Sequence, residues 1–247
     1  FCFFFLGKHY NSSFINYPKF KLCIALSLLL EIRLNNAIQH YDHYLNNHVE
    51  NLKCIGSPYA FHTIGSTIAI NANFYAKVRG FPKLAAGEDF YILNKLAKIG
   101  EIKTLSGAPI ILSGRVSNRT PFGTGQALNT LLENKLKSKK YNPYPKESYD
   151  LLKILLDLFN KKDLNLKYHL KNKLNPDQFK LVWDILINLG VEKWLKNCPK
   201  NLTQSQITIQ YHSWFDGLKT IKFIKQTLAP IQNNLPAISS FHKLKAF

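Results

Sequence analysis

Apolar positions recur at helical spacing through residues 20–47. Leu22, Ala25, Leu26, Leu29, Leu30, Leu34, Ile38, Tyr41 and Leu45 there predict one amphipathic helix. After the turn-rich stretch "GSPYAFHTIGS" the pattern shortens. Thr67 to Ile70 reads as a buried strand, Asn71 as the cap of a short helix through Val78, and Gly80 with Pro82 as its stop. The stretch "AAGEDFYILNKLAKIG" predicts a second short helix, opening on Glu88 and Asp89 and closing at Gly100. "EIKTL" and "APIILSG" follow as two short strands, the second running into a basic, polar loop, "GRVSNRTPFGTGQA".

From about Leu128 the texture changes. "ENKLKSKKYNPYPKESYD" has the composition of a linker, and helical stretches lie beyond it: "SYDLLKILLDLFNKK", "NPDQFKLVWDILINLG" and "HSWFDGLKTIKFIKQTLA". In the second of these, Phe179, Val182, Trp183, Leu186 and Ile187 form one apolar stripe between an Asn-Pro-Asp start and Gly190. The expected organisation is an α/β part over residues 1–127, including the helix at 20–47, followed by a basic, mainly α-helical region over 128–247.

Composition refines this picture. A chain of 247 residues with 46% hydrophobic and 13% aromatic content buries a core and is not a disordered segment. The formal net charge of +18 points to an anionic partner: nucleic acid, a phosphate-bearing substrate or an acidic membrane surface. Lysines that merely solvate helix faces account for the same excess. Cys2, Cys23, Cys54 and Cys198 show neither metal-ligand spacing nor a CxxC, so they read as reduced thiols of a reducing, cytoplasmic compartment. "FCFFFLG" and "LCIALSLLL" fall short of the ~20 residues of a membrane span. "LKTIKFIKQTL" allows contact with the inner face of a membrane. The chain starts at Phe1 and contains no Met, and is expected to be a fragment whose N-terminal part lies outside this sequence.

Acidic residues are scarce, 15 against 33 Lys and Arg, so the Glu88–Asp89 doublet stands out. Taken alone it is explained by the helix dipole, which favours acidic groups in a first turn by about 0.3–1 kcal/mol. Its neighbours add to that. "GSTIAINANFYAKVRGFP" precedes the doublet, and "KLAKIG" with "PIILSGR" follows it. This order resembles the second half of the catalytic domain of family 2 glycosyltransferases of the GT-A fold, over roughly residues 55–127. The resemblance implies a partial GT-A-like domain and transfer of a sugar from a nucleotide-sugar donor to an acceptor hydroxyl. It maps the general base to Asp89, with Glu88 as its neighbour or as an acceptor-binding residue. A carboxylate paired with another and shielded from water has its pKa raised toward the range that base catalysis uses.

Three further sets of residues are candidates. Arg115 and Arg119, with hydroxyls around them and Gly-Thr-Gly behind, can make bidentate bonds to a donor diphosphate or form a solvated basic loop. His62 is a candidate contact for acceptor or phosphate, and equally a structural histidine. His212 is a candidate metal neighbour by resemblance alone. The family implies a divalent cation, Mg2+ or Mn2+, held by an Asp-x-Asp motif, and no such motif occurs in this chain. The sequence therefore carries an acceptor side without the donor-binding half, and this chain alone is not expected to turn over. Two other readings stay open, a basic nucleic-acid-binding protein and a catalytically inactive interaction module. Against nucleic acid, no helix-turn-helix, zinc or RNA-binding signature is present, and the aromatics fall mostly at core spacing.

Overall fold

The computed structural model describes residues 27–30, 36–110, 144–161, 163–199 and 201–232. The chain divides into two compact units, one of residues 1–50 and 58–143 and the other of residues 51–57 and 144–247.

In the first unit, β1 (Ser27–Leu30) pairs in parallel with β2 (Thr104–Ile110). Ser27 lies opposite Thr104 and Leu28 opposite Leu105, and the register shifts before Leu30 meets Ile110. Between the strands come α1 (Asn36–Cys54, its last turn grouped with the second unit), a 3-10 turn at Gly65–Thr67, α2 (Ala72–Lys77) and α3 (Glu88–Leu96). Helices between two parallel strands supply the crossover that parallel pairing requires. Two strands among the described residues do not make the multi-stranded sheet expected of a GT-A-like α/β domain, and this part is mainly helical.

Several expected elements are corrected. The helix expected over 20–47 is a strand at Ser27–Leu30 and a helix from Asn36 to Cys54. An uninterrupted apolar run such as "SLLL" suits either conformation, and pairing with a strand more than seventy positions away settles it. The strand expected at Thr67–Ile70 is the end of the 3-10 turn followed by irregular backbone. Ile68 and Ile70 still pack against the core, which gives the same alternation without a ladder. The two strands expected after Gly100 are one, running through Gly107.

Other local expectations are met. Asn71 caps α2, its side-chain oxygen accepting from the Asn73 amide at 3.0 Å. The chain leaves α2 through left-handed Arg79 (φ 61°) and Gly80 (φ 68°). A Cβ at Gly80 would lie 2.9 Å from the Tyr75 hydroxyl, so glycine is needed there for space as well as for φ. The core beneath comprises Tyr59, Phe61, Val78, Ile92, Leu93 and Leu96.

The second unit is helical, as expected: α4 (Lys146–Phe159), α5 (Leu166–Lys173), α6 (Pro176–Asn188), α7 (Val191–Asn197), α8 (Gln204–Trp214) and α9 (Gly217–Gln232). Helix α4 is its centre, with Leu152, Leu155 and Phe159 fully buried and with α5, α8 and α9 packed around it. Capping boxes start α6 (Asn175 with Gln178, Pro176 at the first helical position) and α8 (Thr203 with Gln206). The stretch "HSWFDGLKTIKFIKQTLA" is two helices, because Asp216 accepts from the Lys219 amide at 3.2 Å and begins α9 afresh. Helices α5 and α7, eight and seven residues long, escape the periodicity reading because they are too short to show a stripe.

Among the described residues no helix is long and apolar enough to cross a membrane. The apolar stripe of "LKTIKFIKQTL" faces inward: Phe223 and Ile224 are fully buried, and α9 packs on α4 and α6.

Candidate functional site

Asp89 is placed by the start of α3. Gly87, at φ 77°, turns the chain into the helix, and Glu88 and Asp89 occupy its first turn. Helix α3 is held in turn by its buried face, Ile92, Leu93 and Leu96, and by Lys95, whose Nζ donates to the Val78 carbonyl at 3.3 Å. The Asp89 carboxylate is half-buried and fixed at both oxygens. Oδ1 accepts from the Phe90 amide at 2.7 Å, and Oδ2 accepts from the Gly65 amide at 3.0 Å. The second bond joins the helix start to a loop 24 positions earlier.

Gly65 permits this approach. A Cβ there would lie 3.3 Å from Asp89 Oδ2, closer than side chains ordinarily pack. Burial raises the Asp89 carboxyl above the usual carboxylate range and the adjacent Glu88 charge adds to it, while the amide bonds from Phe90 and Gly65 pull it down. The result is an oriented carboxylate with enhanced basicity. Each oxygen uses one lone-pair site on a backbone amide and keeps a second for a further donor.

His62 lies on the same loop, three positions before Gly65, and its ring is half-buried. Its Nε2 is 2.9 Å from Asn46 Oδ1, and Asn46 Nδ2 donates to Asp42 Oδ2 at 3.0 Å. The loop is therefore fixed near one end by an α1 side chain and at the other by an α3 side chain. His48, also on α1, is pushed down to about 4 by burial and then by the charge of His62. Sequence reading picks out Asp89 and His62 but misses Gly65, Asn46, Asp42 and His48. The four-residue spacing of Asp42 and Asn46 places them on one helix face, yet nothing local pairs that face with His62.

The remaining expected residues are not brought to this place. Arg115 and Arg119 lie outside the described residues. His212 belongs to the second unit, on α8, where its ring stands edge-on to Phe159 at 5.9 Å. Burial lowers its pKa. Tyr211 and Trp214 complete the aromatic surroundings of Phe159, a setting without the carboxylates that a hard divalent cation prefers. Among the described residues no group of three or more His, Cys, Asp or Glu side chains is gathered to hold a metal ion. The residues present therefore do not fit the divalent cation that the resemblance implies, and no step is derived through it.

No protein-family model, curated protein or solved structure matches this chain.

Proposed function

We propose that the first unit is the acceptor side of a family 2-like glycosyltransferase with a GT-A-like α/β arrangement, in which Asp89 takes the proton of an acceptor hydroxyl. One observation carries the reading: a half-buried carboxylate of raised basicity stands at a helix start, oriented by a backbone amide from a separate loop. The parallel β1–β2 pair with helices between its strands supports the same class of fold. In the proposed reaction the hydroxyl oxygen attacks the anomeric carbon as its proton moves to Asp89, and the bond to the nucleoside diphosphate breaks on the opposite side. Glu88 borders the acceptor. Arg115 and Arg119 are assigned to the diphosphate in this proposal, on the strength of the sequence alone.

A second reading has its own support. Both Asp89 oxygens hold backbone amides, which suits a structural tie in an interaction module without turnover. Asp89→Asn separates the two when assayed in the full-length gene product with a panel of UDP- and GDP-sugars, Mn2+ and hydroxyl acceptors. The glycosyltransferase reading expects turnover to fall about 10²–10⁴-fold with nucleotide binding and melting temperature nearly unchanged. Donor binding lost in equal measure would sink the base assignment. A lowered melting temperature with unchanged turnover per folded molecule, or no turnover in the wild type, selects the structural tie.

A further inference from the structure

The Asp42–Asn46–His62 chain lies apart from the carboxylate just described and has a consequence of its own. An ionised carboxylate only accepts hydrogen bonds, so Asp42 Oδ2 at 3.0 Å must face the amide nitrogen of Asn46. That leaves the Asn46 carbonyl oxygen toward His62 Nε2, at 2.9 Å. A carbonyl oxygen accepts and never donates, so Nε2 must carry the hydrogen. In the neutral imidazole the basic lone pair is then on Nδ1.

We propose that Asp42 and Asn46 are positioning residues that lock His62 in its Nε2–H tautomer and make Nδ1 a proton-accepting atom on the Phe61–Gly65 loop. The carboxylate draws on the Asn46 amide, which strengthens the carbonyl as an acceptor and favours the imidazolium that forms when Nδ1 takes a proton. The transfer is simple in balance: a hydroxyl or a water gives its proton to Nδ1, keeps the electron pair on oxygen, and leaves His62 positively charged. Other titratable groups set the limits of that charge. His48 lies close enough to His62 for the two positive charges to oppose each other, and burial already holds His48 neutral near pH 7. Asp42 is raised by its burial and opposed in this by the Asn46 bond and by His43 beside it. With His48 neutral, the proton that enters this cluster resides on His62. The inference stands independently of the glycosyltransferase reading, because it concerns the state of one imidazole and not a substrate.

The test is a long-range proton–nitrogen correlation spectrum of the whole chain labelled with 15N-histidine, followed from pH 5 to 9. The wild type is expected to show His62 in the Nε2–H form at high pH. Asn46→Leu should convert it to a mixture of tautomers and lower its pKa by about one unit, while the backbone spectrum keeps its dispersion. An Nδ1–H tautomer in the wild type overturns the proposal, as does an Asn46→Leu spectrum with tautomer and pKa unchanged. Should that variant fail to fold, Asp42→Ala is expected to produce the tautomer mixture by freeing the Asn46 amide. The wild-type tautomer decides the matter by itself in either event.

Discussion

At Gly65 a missing side chain does as much as a present one. The Asp89 carboxylate sits where a Cβ would crowd it, at 3.3 Å, and the amide bond between them is 3.0 Å long. Gly65→Ala is expected to lengthen or break that bond and to cost about 1 kcal/mol, the net worth of one hydrogen bond, in urea unfolding. An unchanged midpoint would show that the loop yields without strain. His48 supports a prediction about pH. Its pKa in the folded chain is about 4, below the ordinary histidine value of 6.5, so the unfolded chain binds more protons between those limits. Stability contributed by neutral His48 is complete above pH 6.5, falls as pH drops through that window, and stops falling below about 4. The slope for one such group is about 1.4 kcal/mol per pH unit at most. His48→Leu should flatten the dependence of unfolding free energy on pH between 6.5 and 4. A slope equal to that of the wild type would show that His48 is not held neutral.

At the scale of elements, caps and stripes divide the work. Thr203 and Gln206 satisfy backbone donors at the start of α8 reciprocally, so Thr203→Ala should lower stability by about 1 kcal/mol. Phe223 of α9 is fully buried, and Phe223→Ala should cost about 3–5 kcal/mol through lost burial and the cavity left behind. Chemical denaturation of the two variants checks both, and a reversed order of costs would contradict the packing described. The boundaries of α2, α3 and α6 are legible in the sequence because their signals are local: Asn71 before Ala72, Gly87 before Glu88, and Asn-Pro-Asp at 175–177. "SLLL" and "TIAI" are misread for the complementary reason. A short apolar run has no period of its own, and a distant strand or a nearby hydrophobic cluster decides its conformation.

At the scale of the whole molecule, the second unit holds a core of its own, built from Leu152, Leu155, Phe159, Leu186, Tyr211 and Phe223. The buried Thr227 hydroxyl donates to Ser148 Oγ at 2.7 Å, a polar contact closed within that same core. Residues 144–232 expressed alone are expected to show a helical circular-dichroism spectrum and a single cooperative thermal transition. A non-cooperative melt would mean that this helical core does not sustain itself. The net charge of +18 bears on partners at this scale and not on the fold.

The sequence by itself determined the helical second half, the caps that start α2, α6 and α8, and the doublet that opens α3. Each of these depends on residues within a few positions of one another. Tertiary structure alone decided that "SLLL" is a strand, that Gly65 rather than a side chain meets Asp89, and that Asn46 fixes the orientation of His62. Those three depend on groups from 16 to more than seventy positions apart, and no local pattern encodes which distant donor will stand opposite a given acceptor. Chain folding brings the partners together, and burial then sets how basic the carboxylate becomes.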